Sequence, residues 1–279
     1  YKHLKQLGVV ASIPGKGYFI TNTQIKQSYK VLLMFNKLSQ HKKIIYDHFV
    51  NTLGNEASID FYIYNNDVNA FKNILENKKG KYTHFVIIPH FIEGHELAAQ
   101  VINEYVDGEL IILDKQIEGI TAAHSVVEEK FEKDIVGALV ACLPQLSKYH
   151  QLQLIFPSES YFPEDIKKGL IHFCNEYAFS YQIVAQVPQQ IEKGNVYINL
   201  MEDDLIELLN TIVSTKLKVG KDIGIISYNE TPWKAFILNG ITTISTNFQI
   251  MGEQAARLIL EKKREQVEVP FATNVRASL

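Results

Sequence analysis

Four stretches of this 279-residue sequence carry residue types that could do chemistry. HFIEGH places His90, Glu93 and His95 close together, near the spacing with which one class of metalloprotease holds zinc. That motif needs a continuous helix, and Gly94 breaks it in what reads as a strand-to-helix loop. The turn PGKG, Pro14 to Gly17, invites comparison with a phosphate loop. A phosphate loop follows a strand and opens a helix, however, and here Lys16 is followed by Gly17 and a strand-like run. Cys142 and Cys174 each sit in an apolar helical stretch, GALVACLPQL and LIHFCNEY, and read as small buried hydrophobes suited to a reducing cytoplasm. The sequence has no GxSxG elbow and no Cys/His pair with a third member. The expectation is a protein that is not an enzyme, with no catalytic residues, no metal and no cofactor.

The elements that must position any site alternate regularly. KVLLMFN reads as a strand, HKKIIYDHFVNTLG as a helix closed by Gly54, SIDFYIYN as a strand, and Asp67 as the cap of a helix to Asn77. HFVIIPH, a helix from Glu93 to Tyr105, and ELIILDK complete a first run. After a less regular crossing segment, GITAAHSVVEEKF, the pattern restarts with a helix from Lys133 to Ser147, then QLQLIFP, Pro163 to Tyr177, SYQIVAQV, NVYINL, Glu202 to Ser214 and DIGIISY. ITTISTN, a helix from Phe248 to Lys263 and a last strand pair around VEVPFATNVRAS end the chain. Strands apolar on both faces, alternating with helices, predict an α/β fold with two doubly wound parallel sheets. Several crossings between them make it bilobed and hinged. The expected lobes are about 30–124 with 247–265, and about 130–245 with 266–279.

Open α/β sheets bind ligands beyond the carboxyl ends of their strands. In the first lobe those ends offer Asn36, Ser39, Gln40 and His41, then Pro89, His90 and Glu93, then Asp114 and Lys115. The second offers Ser158, Tyr161, Asn199, Asn229, Glu230 and Trp233, with Thr246 and Asn247 at a crossing. The predicted effector contacts are Asn36, Gln40, His41, His90, Asp114, Tyr161, Asn199, Asn229, Trp233 and Thr246. Amides, a carboxylate and aromatic faces suit a polyhydroxylated ligand, whose hydroxyls donate and accept while its C–H faces stack on rings.

The front of the chain differs from the rest. Residues 1–30 hold Lys2, Lys5, Lys16, Lys26 and Lys30 and no acidic residue, so the net charge of −3 divides into a basic front and a more acidic body. Such asymmetry is expected where a nucleic-acid module joins a domain with another task. YKHLKQL reads as the end of a helix with Gly8 as its cap, and VVAS and YFIT as the strands of a hairpin. A chain that starts in mid-helix without methionine is expected to be preceded by further residues. No run of about 18 uninterrupted apolar residues occurs, so no membrane partner is expected.

HLKQLGVVASIPGKGYFI resembles the end of the winged-helix head of GntR-type bacterial transcription regulators. The resemblance implies a wing that meets double-stranded operator DNA through Gly15, Lys16 and Gly17, with Ser12 and Tyr18 as further contacts. Residues 1–23 would be the head's remnant, 24–29 a linker and 30–279 the effector domain. DIGIISYNETPWKAFILNGITTISTNFQIMGEQAARLILEKK, followed by Arg276, resembles the effector body of LacI/GalR-type regulators, a periplasmic-binding-protein-like fold. That resemblance implies a cytoplasmic homodimer with a carbohydrate effector between its lobes. The sequence departs from the pattern at FPEDIKKG, where many members carry arginine, at Asn229 in place of aspartate, and at NLMEDDL, so no particular sugar follows. The alternative reading is an extracytoplasmic solute-binding protein serving a sugar transporter.

Overall fold

The computed structural model describes residues 10–13, 17–20, 28–158 and 160–279. The front is a hairpin in which β1 (Val10–Ile13) pairs antiparallel with β2 (Gly17–Ile20), with Ser12 opposite Tyr18. Gly17 has φ +92, a conformation that glycine adopts without strain where the strand leaves the turn. Gly15, Lys16 and the helix expected ahead of Gly8 lie outside the described residues.

Lobe 1 forms next, from β3 (Tyr29–Phe35), β4 (Ala57–Ile63), β5 (His84–Ile87), β6 (Glu109–Asp114) and β7 (Ser125–Glu128). The run Val31 to Phe35 is fully buried, as a strand covered by helices on both faces must be. Helices α1 (Gln40–Leu53), α2 (Val68–Lys78) and α3 (Ala98–Tyr105) cover the sheet. Their starts are written locally: Ser39 accepts from the Lys42 amide, and Asp67 accepts from Asn69 and Ala70. The helix expected from Glu93 begins only at Ala98, because Gly94 takes φ +73 and a short 3-10 turn intervenes.

Lobe 2 repeats the plan with β8 (Gln151–Ile155), β9 (Ser180–Val184), β10 (Asn195–Asn199), β11 (Gly224–Tyr228) and β12 (Thr242–Thr246). Its helices are α4 (Phe131–Ala141), α5 (Asp165–Tyr177) and α6 (Glu202–Val213). Cys142 and Cys174 are buried in its core, and burial pushes their thiols up to about 11 and about 12, which keeps them protonated and inert. The chain then recrosses: α7 (Phe248–Glu261) packs on α1, β13 (Gln266–Glu268) joins β7, and β14 (Phe271–Asn274) joins β12. The sheet orders are β13-β7-β6-β5-β3-β4, all parallel, and β14-β12-β11-β10-β8-β9, parallel except for β14.

Two sequence expectations differ from this arrangement. The crossing segment GITAAHSVVEEKF contains β7, a full strand of the lobe 1 sheet. The last two strands do not pair with each other: β13 belongs to lobe 1 and β14 to lobe 2, so the lobe 1 sheet takes in 125–128 and 266–268. Pro270 lies between them, at the crossing.

The α1–α7 packing rests on the MGEQAA sequence. A Cβ on Gly252 would lie 2.4 Å from the Ile45 carbonyl oxygen, a backbone atom that cannot swing away. Gly137 on α4 is exposed, with nothing within 4 Å of such a Cβ. Gly252→Ala is therefore expected to cost about 1–3 kcal/mol, while Gly137→Ala gains up to about 1 kcal/mol from helix propensity. Thermal unfolding of the two variants checks this; equal midpoints would show that the helices separate freely.

Candidate functional site

The lobes face each other across the carboxyl ends of their strands, and the seam between them sets charged and polar groups among aromatic rings such as Phe131, Phe162 and Phe248. On lobe 1, Asp114 ends β6 with φ +78, a left-handed conformation that costs energy in any residue but glycine. Its carboxylate accepts from His90 Nε2 at 2.8 Å and lies 3.9 Å from Lys42 Nζ. Lys42 is 2% exposed and donates to Asn36 Oδ1 at 2.5 Å, while Asn36 donates to Asn66 Oδ1 at 2.6 Å. The network thus runs through Asn66, Asn36, Lys42, Asp114 and His90. Burial alone would raise the Asp114 carboxyl, but His90 and Lys42 outweigh it and hold the group below the usual carboxylate range. Burial pulls the Lys42 ammonium down to about 8 despite Asp114, and it pulls the His41 imidazole to about 3, with Lys42 adding to the effect.

Tyr161 of lobe 2 closes the seam. Its carbonyl oxygen lies 3.2 Å from His90 Nδ1, its ring is edge-on to His90 at 5.5 Å, and Lys37 Nζ sits 4.4 Å over its face. Tyr161 thereby meets two side chains of the other lobe, Lys37 at its ring face and His90 at its ring and carbonyl. Only an imidazolium can donate from both His90 nitrogens, to Asp114 and to Tyr161. Burial opposes that charge and lowers the imidazole, with Asp114 pulling the other way. Tyr64 sets the His90 loop: its hydroxyl donates to the Ile88 carbonyl at 2.5 Å and accepts from the His90 amide at 3.0 Å.

Two spaces flank this closure. Between His41, Lys42, His90, Asp114, Tyr228 and Asn229 only about 20 Å³ remains, room for about one water. Beside it, Lys37, Gln40 and His41 of lobe 1 face Tyr161, Phe162, Asn229 and Lys234 of lobe 2 across a cavity of about 300 Å³. Asn199 and Asn229, at the ends of adjacent strands, each hold a buried side-chain oxygen with no hydrogen-bond partner. Such an atom costs about 1–3 kcal/mol until something donates to it.

The structure gathers most of the residues expected from the strand ends. His41, His90, Asp114, Tyr161 and Asn229 border the narrow space, and Gln40 the wider one. Asn36 is fully buried and serves Lys42, Asn199 donates to the Met201 carbonyl, and Thr246 lies beside Glu129. Trp233 lines neither space; it is half-buried against the lobe 2 core. Glu230 is engaged by Arg276 at 2.9 Å, and Asn247 caps α7. Glu93 is exposed, and His95 is exposed beside Glu96, so HFIEGH does not converge. Among the described residues no group of three metal-ligating side chains could hold an ion, and no helix is long and apolar enough to cross a membrane.

Several residues escaped the strand-end reading. Lys42 shares the buried face of α1 with Ile45, Phe49 and Leu53, a helical spacing that was visible in the sequence. Glu129 follows β7, which hid inside the irregular segment. Lys37, Phe162 and Lys234 lie in turns without periodicity, and nothing in the sequence marked them.

Solved structures supply the comparison. The chain is similar to a LacI family transcriptional regulator from Enterococcus faecalis V583 with bound ribose: 18% identity and a TM-score of 0.71, over 89% of this chain and 98% of that one. A lac repressor dimer bound to operator and the anti-inducer ONPF gives 16% and 0.72, over 91% and 94%. A transcription-regulator-like protein from Staphylococcus haemolyticus gives 14% and 0.70, over 90% and 98%. The fold is the LacI-type, periplasmic-binding-protein-like one. No family model and no curated protein matches the chain.

Glu129 offers a direct probe of the seam. It is buried, the Tyr228 hydroxyl donates to it at 3.3 Å, and burial, then Asp114, pushes its carboxyl well above the ordinary range. A carboxyl raised in the folded state contributes its stability below the unfolded value of about 4.3 and loses it as pH rises. Glu129→Gln keeps an acceptor for Tyr228 and cannot ionise. Its thermal midpoint is expected above wild type at about pH 8 and close to wild type at about pH 4; an equal shift at both would mean that Glu129 is not held protonated.

Proposed function

We propose that this chain is a ligand-responsive bacterial transcription regulator in which a small polyhydroxylated molecule, a sugar or sugar derivative, binds between the lobes and alters DNA binding by a winged-helix head. The observation that carries the reading is the convergence of the Asn229 amide, with its unpartnered buried oxygen, and of Gln40, Lys37, Lys234 and the Tyr161 ring on one cavity between the lobes. Hydroxyl groups would supply both the donor that Asn229 lacks and acceptors for the lysines. Ribose bound in a regulator of the same fold supports the ligand class. The chain performs no turnover in this reading, and the cytoplasm is its place of action.

The head is supported by the hairpin and by the lysine-rich, acid-free front of the chain. In this reading β1 and β2 are a GntR-type wing, with Ser12 and Tyr18 across from each other along it and Lys16, outside the described residues, assigned as a DNA contact. Small charge-bearing tips of this kind meet DNA through phosphates and the minor groove. A homodimer fits the surface of lobe 2. Ile206 and Val213, at i and i+7 of α6, are 52% and 83% exposed with half-buried Leu209 between them, and Phe236, which follows the turn of half-buried Trp233, is 84% exposed; Leu209 and Trp233 pack on the same core. Exposed apolar side chains grouped in this way mark an interaction surface.

The test is titration with D-ribose, L-arabinose, D-xylose and D-galactose, followed by thermal midpoint and by the fluorescence of the single tryptophan. One of them is expected to raise the midpoint as a folded-state ligand does, and Asn229→Ala is expected to weaken it about tenfold. A panel without effect would refute the carbohydrate reading. For the dimer, Phe236→Asp is expected to halve the mass measured by light scattering at micromolar concentration; an unchanged mass would place the interface elsewhere.

A further inference from the structure

Lys234 is the one cleft residue whose chemistry remains unexplained. It sits on a short 3-10 turn, Pro232–Ala235, and is 0% exposed. Its Nζ donates to the carbonyl oxygens of Tyr228 at 3.1 Å and Asn229 at 2.6 Å. A buried ammonium held by carbonyls, without a carboxylate in contact, is a costly way to fix a turn. Yet it fixes one that matters. Asn229 is left-handed at φ +62, its amide donates to the Ile244 carbonyl at 2.9 Å, and its own carbonyl is taken by Lys234. The backbone is pinned on both sides while the side-chain oxygen stays unpartnered. An ammonium has three N–H donors; two are used on the backbone, and Lys234 lies beneath the wall of the cavity that Asn229 also lines, so the third meets a ligand only when the surface over it is displaced.

We propose that Lys234 determines ligand specificity on the lobe 2 wall: its ammonium holds the Asn229 turn and, through its third N–H, reads one ligand hydroxyl as an acceptor while Asn229 reads the neighbouring hydroxyl as a donor. The pair therefore selects a vicinal diol. This rests on the reading that the cavity takes a polyhydroxylated ligand. The charged surroundings set the working range. Burial pulls the Lys234 ammonium down to about 8, Glu202 and Glu230 favour the charge, and Lys37 and His41 face it from lobe 1, with Asp203 and Tyr228 also bordering the cavity. Below about pH 8 the third N–H is present; above it the amine turns into an acceptor and the diol is misread.

The experiment titrates D-ribose, L-arabinose, D-xylose and D-galactose into wild type, Lys234→Arg and Lys234→Met at about pH 7 and about pH 9, with the mono-deoxy analogues of the sugar that binds as ligands in which a vicinal pair is broken. The sugar that binds wild type is expected to bind about tenfold more weakly at the higher pH, the change given by loss of one proton with this pKa. Lys234→Arg is expected to flatten that dependence, because its guanidinium stays charged, and Lys234→Met to lose binding at both. A pH-independent wild-type affinity, a Met variant as tight as wild type, or every mono-deoxy analogue binding as well as its parent sugar overturns the proposal and leaves the cleft reading intact. Binding of none of the sugars overturns the cleft reading itself. The unliganded protein then decides on Lys234: the Trp233 ring lies 5.8 Å from its Nζ, so tryptophan fluorescence is expected to titrate near pH 8 in wild type and not in Lys234→Met, and a flat wild-type curve overturns the proposal.

Discussion

Asp114 cannot be buried alone. An ionised carboxylate taken out of water costs several kcal/mol unless partners replace its hydration, and here the partners come from two other elements. Lys42 reaches it from the first turn of α1, His90 from the loop after β5, and the strained backbone of Asp114 itself turns the carboxylate toward them. Each partner needs its own support, from Asn36 and Asn66 for Lys42 and from Tyr64 for the His90 loop. The carboxyl ends of β3, β5 and β6 are thereby tied into one rigid wall. The strain at Asp114 persists because the surrounding contacts over-determine it.

That wall explains the shape of the seam. Lobe 2 meets it through Tyr161, which brings a ring for Lys37 and a carbonyl oxygen for His90. These contacts are polar and few, so they hold the lobes together without fusing them. An apolar seam of the same area would bury its surface for good, whereas a seam of hydrogen-bonding groups exchanges protein partners for water or ligand at small net cost. In the proposed function, opening and closing would stand near balance, as a two-state sensor requires.

The sequence made the fold legible because both lobes obey one rule: central strands buried on both faces, helices amphipathic, and polar residues at several of the strand ends that face the cleft. Val31 to Phe35 and the run Gly224 to Tyr228 are unbroken apolar or small stretches, and Asn36, Asp114, Asn199 and Asn229 stand at or just beyond strand ends. What escaped did so for physical reasons. β7 is short, and its neighbours Gly119 to His124 are irregular, so Glu129 lost the context that would have marked it as a strand-end residue. Trp233 drew attention as the single tryptophan, but its ring is more fully satisfied against the lobe 2 core than at a wet cleft. Lys234, beside it, points the other way for a reason no local pattern carries: the two carbonyls it binds are five and six residues upstream and become accessible only once β11 has ended in a left-handed residue.

A ligand can shift such a balance only by binding one arrangement of the lobes better than the other. The groups on the page show how. His90 and Lys37 already have partners from lobe 2 in the closed seam, while Asn199 and Asn229 have none for their buried oxygens. In the proposed function, a polyol that satisfies Asn229, which borders the cavity, while leaving His90 and Lys37 in place would add its binding energy to closure. One that takes His90 or Lys37 for itself competes with Tyr161 and spends part of that energy on opening. The difference between those two outcomes is of the order of one or two hydrogen bonds, about 1–3 kcal/mol, which is also the usual size of a coupling between an effector site and a distant one. Ligand chemistry at the Tyr161 boundary, rather than total affinity, therefore sets the direction in which the lobes respond.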